Sequence, residues 1–261
     1  MDAQELRTLL DAVRRGEVAP AEAVDRIKTA PLAEAGAYAT VDLQRKMRCG
    51  SPEVIFGQGK TPEQIVGILK TLVRHGSGGL VTRLAPEAAA LLVREFPEGE
   101  YNELGRTFRV LSPEHPGPKL GRVCVVTAGT ADLPVAEEAR VAAETWNCDV
   151  QLIADIGVAG IHRLFNRLKD FSGADALVVV AGMEGALPSV VGGLVDCPVI
   201  AVPTSVGYGA HFQGLAALLG MLNSCSSNVV VTNIDGGFNG GHVAGLIARR
   251  AGQARAGFDA T

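Results

Sequence analysis

The chain has 261 residues, 47% of them hydrophobic and 20% charged, which is long and apolar enough for one large or two small packed domains and excludes disorder as the default. A formal net charge of -4 supplies no basic excess of the kind that nucleic acid or an anionic membrane attracts, so neither is expected as a partner, and small anionic ligands remain open through local sites. The cysteines number five, an odd count, and the opening MDAQELRTLLDAVRRG carries charges where a secretion signal has its apolar core, so a reducing cytoplasmic setting is expected.

In chain order, Leu6, Leu9, Leu10 and Val13 recur at helical spacing, and Pro20 suits a first helical turn, so the first thirty residues predict two short helices. Tyr38 to Leu43 reads as a strand, followed by Pro52 to Gly57. Thr61-Pro62-Glu63-Gln64 has capping-box spacing and predicts a helix start. A strand at Gly79 to Leu84, a helix after Pro86 and a strand at Thr107 to Leu111 complete a small α/β unit. The run from Ser112 to Pro118 holds three prolines and a glycine, which remove backbone donors and break periodicity, so the domain boundary is placed there, giving residues 1–118 and 119–261.

Beyond the boundary, five apolar runs of strand length recur at Arg122 to Thr127, Asp149 to Ile156, Ala174 to Ala181, Pro198 to Val202 and Asn228 to Ile234. Near-continuous hydrophobicity of this kind means burial on both faces. Helices are predicted at Val135 to Trp146, Ile161 to Phe171, Leu187 to Val195, Phe212 to Leu222 and Gly241 to Arg250. The expected fold is α/β: a doubly wound, flavodoxin-like parallel sheet of five strands preceded by a smaller α/β domain.

Ligands of such sheets sit outside the carboxyl ends of the strands, so the five segments after the strands are the candidate site. The first carries Thr127, Gly129, Thr130 and Asp132, and the second carries Asp155, Gly157, Gly160, His162 and Arg163. Gly182, Met183, Glu184 and Gly185 fill the third, Ser205 and His211 the fourth, and Asp235, Gly236 and His242 the fifth. Glycines let backbone N–H groups approach a phosphate, and the helices that follow favour anions at their N-termini. The first turn has one glycine where a dinucleotide fingerprint needs three, which argues against hydride transfer, and no G-x-S-x-G elbow is present for a serine hydrolase. No C-x-x-C, H-x-x-x-H or H-E-x-x-H spacing occurs, so no protein-held metal site is expected.

Thr127-Ala-Gly-Thr-Ala-Asp132 resembles the G-S-x-S-D turn of the aminoimidazole ribonucleotide carboxylase and mutase family. Ala181 to Pro188, with the later Pro198-Val-Ile-Ala-Val-Pro203, resembles that family's G-G-A-A-H-L-P turn and P-V-I-G-V-P strand. Two departures stand out: Asp155 to Arg163 replaces the S-A-H-R-T-P loop, and Ala186 replaces a histidine. These departures, with Arg48-Cys-Gly-Ser-Pro-Glu-Val-Ile-Phe-Gly-Gln-Gly-Lys60 and Asn223-Ser-Cys-Ser-Ser-Asn228, are similar to the LarB family of nickel-pincer nucleotide cofactor assembly.

That resemblance implies a pyridinium-3,5-biscarboxylic acid mononucleotide synthase, which takes nicotinic acid adenine dinucleotide and carbon dioxide as substrates and releases AMP. It implies no tightly bound cofactor; magnesium is the one ion to consider. It also implies a homo-oligomer with shared active sites. An electron-poor pyridinium gains a nucleophilic C5 once a thiolate has added at C4, and Cys225, in a small polar run, is the expected nucleophile. Glu184 is assigned as the base or water-orienting group, with helix capping as its alternative. Asp132 and Asp155 either bind ribose hydroxyls and magnesium or cap helices. His162 and Arg163 suit phosphate contact, and His211 and His242 suit ligand contact or proton transfer. Because Cys225 precedes the fifth strand, it falls on the sheet edge opposite the loops, so a neighbouring subunit would have to supply it. The alternatives are the purine carboxylase or mutase reaction and a non-catalytic nucleotide-binding protein.

Overall fold

The computed structural model describes residues 3–29, 32–43, 45–113 and 117–257, and the chain divides into two compact units. The first comprises Met1–Tyr101 and Thr107–Pro116, the second Asn102–Arg106 and Gly117–Thr261. Glu114, His115 and Pro116, in the middle of the proline-rich run, lie outside the described residues.

The first unit opens with α1 (Ala3–Arg14) and α2 (Pro20–Thr29), then pairs β1 (Leu32–Ala35) antiparallel to β2 (Ala39–Asp42). After α3 (Arg45–Cys49) come β3 (Val54–Phe56), α4 (Pro62–Arg74), β4 (Gly79–Thr82), α5 (Pro86–Glu95), β5 (Glu100–Asn102) and β6 (Thr107–Val110). Strands β3 to β6 form one sheet in the order β3-β4-β6-β5, with β3 parallel and β6 antiparallel to β4. Thr61 caps α4 as its spacing predicts: its side chain accepts from the Gln64 amide while the Gln64 side chain accepts from the Thr61 amide. The buried face of α4 (Ile65, Ile68, Leu69 and Leu72) packs with Val81, Leu92 and Phe108 into this unit's core. Three short elements, β1, α3 and β5, carry too few periodic residues to be read from sequence.

The second unit holds β7 (Arg122–Thr127), α6 (Leu133–Glu144), β8 (Asp149–Ile153), α7 (Ile161–Arg167), β9 (Ala176–Ala181), α8 (Leu187–Gly192), β10 (Val199–Pro203), α9 (Leu215–Leu222), β11 (Val229–Val231) and α10 (Gly237–Arg255). Its five strands form one wholly parallel sheet ordered β11-β10-β9-β7-β8. This is the doubly wound topology expected, with the order reversing between β7 and β9. Alternate residues of each strand enter two cores. Cys124, Val126, Leu177, Val179, Val199 and Ala201 meet Leu164, Leu187, Val191 and Met221 on one face. Val123, Val125, Val178, Val180, Ile200 and Val202 meet Ala136, Ala139, Ala143, Ala244 and Ala248 on the other. Burial on both faces explains why these strands are apolar at every position rather than at every second one.

The second core is thin because α6 and α10 touch through their backbones. Added side-chain carbons at Gly237 and Gly241 would fall 2.3 Å from the carbonyl oxygen of Val135 and 1.9 Å from that of Ala139. Gly245 continues the stripe one turn further, against the ring of Trp146. Spaced four apart, these glycines form one helical face that admits a neighbouring helix at backbone distance. The sequence reading begins this helix at Gly241; it begins four residues earlier, because the side chain of Glu138 accepts from the Phe238 amide at 3.1 Å and holds the first turn.

Candidate functional site

At the carboxyl edge of the sheet the five loops are joined by hydrogen bonds. The Gly157 amide donates to the Ala128 carbonyl at 2.8 Å and the Asp155 amide to the Thr127 hydroxyl at 3.0 Å, joining the second loop to the first. The Thr204 hydroxyl donates to Asp132 Oδ1 at 2.7 Å, joining the fourth to the first. The Met183 amide donates to the Val206 carbonyl at 2.9 Å, and the Ser205 amide to Asp235 Oδ1 at 2.8 Å, which brings in the third and fifth. Among the described residues, five of the eight non-glycine residues with left-handed backbone lie in these loops: Asp155, Met183, Phe212, Gln213 and Asp235. Such conformations cost on the order of 1–3 kcal/mol each and gather where surrounding structure holds them for a task.

Several of the predicted ligand residues hold the loops together. Thr127 is fully buried and its hydroxyl accepts the Asp155 amide, so it faces inward. Asp132 is 3% exposed, with Oδ1 bonded to Thr204 and Oδ2 accepting the Gly129 amide at 2.9 Å. Burial pushes its pKa up, bonds from Thr204, Gly129 and Gly182 pull it back, and the nearby Asp235 charge adds to the rise. Each oxygen accepts one protein donor, so Asp132 clamps the loops together. The Gly129 amide is occupied by the same bond, which leaves Thr130, exposed at the rim, as the open member of the first loop. The Gly236 amide donates to Asn233, and Glu138 occupies the Phe238 amide, so the start of α10 already has its carboxylate.

In the second loop Asp155 forms an ion pair of 2.5 Å with Arg163, both about half exposed, and the guanidinium lies against Gly160. His162 beside it is exposed. In the third loop Gly182 is buried where any side chain would strike the Val206 carbonyl, and Gly185, left-handed, abuts the Ala217 carbonyl of α9. These two tight glycines leave Met183 and Glu184 projecting at the surface. His211 in the fourth loop accepts the Gly214 amide at Nδ1, 2.9 Å, and lies over Gly207; neutral, it carries its proton on Nε2. Ser205 is exposed at the rim.

His242 is placed elsewhere. It lies in the second turn of α10, its ring 4.9 Å from Trp146, just past the end of α6, and 5.2 Å from Phe238 of α10 itself.

The four cysteines of the second unit divide sharply. Cys124, Cys148 and Cys197 are buried, and burial raises all three thiols, Cys148 and Cys197 to about 11. Cys225 is exposed. It lies between α9 and β11, hence at the amino edge of the sheet, opposite the loops. Cys49, in the first unit, is the other exposed thiol, and the side chain of neighbouring Arg48 lies outside the described residues.

Three contributors were not singled out in the sequence: Thr204, Glu138 and Ser189. Thr204 sits in a recognised loop, where a hydroxyl at a strand end beside an acidic turn is a usable signal. Glu138 is 3% exposed on a helix otherwise lined with alanine toward the core, and a charge on that face signals a buried cap. Among the described residues no three or more of His, Cys, Asp and Glu gather to hold a metal. No helix among the described residues is long and apolar enough to cross a membrane.

The strand order and the linked loops at its carboxyl edge define the second unit as a flavodoxin-like α/β domain. Residues 122–255 match a family profile described as AIR carboxylase, and residues 33–112 match one described as the LarB/PurE-like N-terminal domain. The chain belongs to the LarB family, in which these two domains occur together, and is a carboxylase-type enzyme. An uncharacterized protein of Methanocaldococcus jannaschii is 39% identical over 251 residues, covering 94% of this chain and 97% of that protein. The N5-carboxyaminoimidazole ribonucleotide mutase of the same organism is 32% identical over 121 residues, covering 45% of this chain and 72% of that protein. A flavodoxin from the domain Archaea superimposes with a TM-score of 0.33 at 18% identity, over 50% of this chain and 98% of that one.

Proposed function

We propose that the protein carboxylates nicotinic acid adenine dinucleotide at pyridinium C5 and hydrolyses its phosphoanhydride, giving pyridinium-3,5-biscarboxylic acid mononucleotide and AMP. The observation that carries this reading is Cys225, the one exposed thiol of the carboxylase unit, in a polar turn where three other cysteines are buried and hard to ionise.

The Cys225 thiolate adds to C4 of the pyridinium, its electron pair forming the S–C bond while the ring becomes a neutral dihydropyridine. The C5 carbon, now enamine-like, attacks carbon dioxide and forms the new C–C bond. A base takes the C5 proton, the C4–S bond breaks, and the thiolate leaves as aromaticity returns. Net, a ring proton is exchanged for a carboxylate, with no oxidant or reductant. Water separately adds across the phosphoanhydride, releasing AMP. Glu184, exposed between two sterically locked glycines, is the proposed proton acceptor or water-orienting group. Arg163, exposed beside Asp155, is the proposed phosphate contact, reached by exchanging one anion for another.

Cys225 precedes β11 whereas the glycine-rich loops follow their strands, and on that topology the proposed active site joins Cys225 of one copy to the loops of another. Support comes from the surface leading to Cys225. Leu215, Leu219 and Leu222 form one face of α9 at 44%, 50% and 60% exposure, continued by Phe212 at 71% and Tyr208 at 80%. An apolar face of this kind next to a reactive group is characteristic of a self-association surface. The test is complementation: Cys225→Ala and Glu184→Gln variants, each inactive alone, regain activity when mixed and reassembled. A dilute monomer that turns over, or no recovery on mixing, contradicts the shared site. Interconversion of carboxylated aminoimidazole ribonucleotides by the wild-type protein would instead favour the mutase reaction named for the second relative.

A further inference from the structure

Of the six residues Asn223 to Asn228, four are pinned by their side chains. Asn223 donates to the Leu219 carbonyl at 2.7 Å, and Asn228 donates to the carbonyls of Val195 and Cys197 at 3.2 and 3.0 Å. The two residues flanking Cys225 both converge on Ser189 of α8. The Ser189 hydroxyl donates to Ser224 Oγ at 2.8 Å, and the Ser226 hydroxyl donates to the Ser189 carbonyl at 2.7 Å. Ser224 Oγ also accepts the Ser226 amide at 3.3 Å, closing a small ring of bonds around the cysteine's own backbone.

The turn can lie this close because α8 ends in glycine. A side chain at Gly192 would meet Ser226 Cβ at 2.9 Å and Val229 Cγ2 at 2.8 Å. The Ser189 carbonyl also accepts the Gly193 amide at 3.3 Å, so both its lone pairs are used. Cys225 is thus an exposed thiol on a backbone fixed from both sides by a single residue. That residue lies five positions after Glu184, on the helix that the Glu184 loop opens.

We propose that Ser189 is a positioning residue for the Cys225 thiol. Its hydroxyl and carbonyl hold Ser224 and Ser226 so that the sulfur between them is presented in one orientation, in register with the helix behind the Glu184 loop. The proposal rests on the reading of Cys225 as nucleophile. A hydroxyl mid-turn on a short helix facing two serines has no packing task that alanine could not fill, whereas a thiolate adding to a ring carbon depends steeply on its approach.

The experiment compares wild type, Ser189→Ala, Ser189→Thr, Ser224→Ala and Cys225→Ala for kcat and KM with nicotinic acid adenine dinucleotide and bicarbonate. Alongside, the rate of Cys225 alkylation by iodoacetamide is followed by peptide mass spectrometry. The expected result is a kcat fall of about tenfold or more in Ser189→Ala and Ser224→Ala with KM within about twofold. Ser189→Thr, which keeps the hydroxyl, restores kcat, and alkylation stays within about threefold because the thiol remains exposed. Wild-type kcat in Ser189→Ala, with Cys225→Ala inactive, overturns the positioning role and leaves the cysteine reading standing. A loss that threonine does not restore, or that raises KM in step, marks a merely structural contact and also overturns it. Wild-type turnover in Cys225→Ala overturns both readings.

Discussion

Replacing Thr204 by valine keeps the volume of a fully buried side chain and removes one hydroxyl, the donor that meets Asp132 Oδ1 at 2.7 Å. Asp132 is 3% exposed, so water cannot substitute for the lost bond without opening the loops. Hydrogen bonds to charged groups contribute about 1.5–3 kcal/mol, and we take about 2 kcal/mol as the destabilisation at pH 8. The sign of the pH dependence follows from Asp132. Its folded-state pKa lies above the ordinary 3.8 because burial outweighs its hydrogen bonds, and losing Thr204 raises it further. A carboxyl raised on folding penalises the fold when charged, and that penalty disappears as pH falls through the folded value. The difference between variant and wild type therefore shrinks as pH falls through the raised folded-state value. Trp146, the sole tryptophan and buried in the same unit, supplies a fluorescence signal for urea unfolding of that unit. With a urea slope of about 2 kcal/mol per molar, the midpoint falls by about 1 M at pH 8. A shift under about 0.3 M at pH 8, or a difference that grows on acidification, would refute the clamp.

Other changes are expected to act in separate places. Gly241→Ala puts a carbon 1.9 Å from the Ala139 carbonyl, so α6 and α10 must part; we expect a loss of about 1–3 kcal/mol in the same fluorescence assay. Glu138→Ala removes the cap from the Phe238 amide at 3.1 Å, with an expected cost of about 1–2 kcal/mol and faster amide exchange in the first turn of α10. Native-state iodoacetamide near neutral pH should label Cys49 and Cys225 and spare Cys124, Cys148 and Cys197 until denaturant is added, read by peptide mass mapping.

The parallel sheet was legible because its strands are buried on both faces, so Val123 to Val126 and Leu177 to Ala181 stand out without any alternation to decipher. Strand β7 coincides with its expected span, while β11, at Val229–Val231, is shorter than Asn228 to Ile234. The loops could be located from sequence, but the division of labour within them could not. Thr127 and Asp132 look like ligand contacts in one dimension; only the approach of Thr204, seventy-two residues later in the chain, shows that Asp132 also ties two loops together. His242 is similar, since its partner Trp146 is nearly a hundred residues away. The serines around Cys225 read as a polar loop, and only the path of α8 reveals that both reach Ser189.

The most direct measurement is mass spectrometry of the small-molecule products after incubation of the purified protein with nicotinic acid adenine dinucleotide, bicarbonate and magnesium, beside a Cys225→Ala control. The expected result is AMP and a doubly carboxylated pyridinium mononucleotide in equal amounts, both absent from the control. Formation of neither product by the wild-type protein, or of both by Cys225→Ala, would contradict the proposed chemistry.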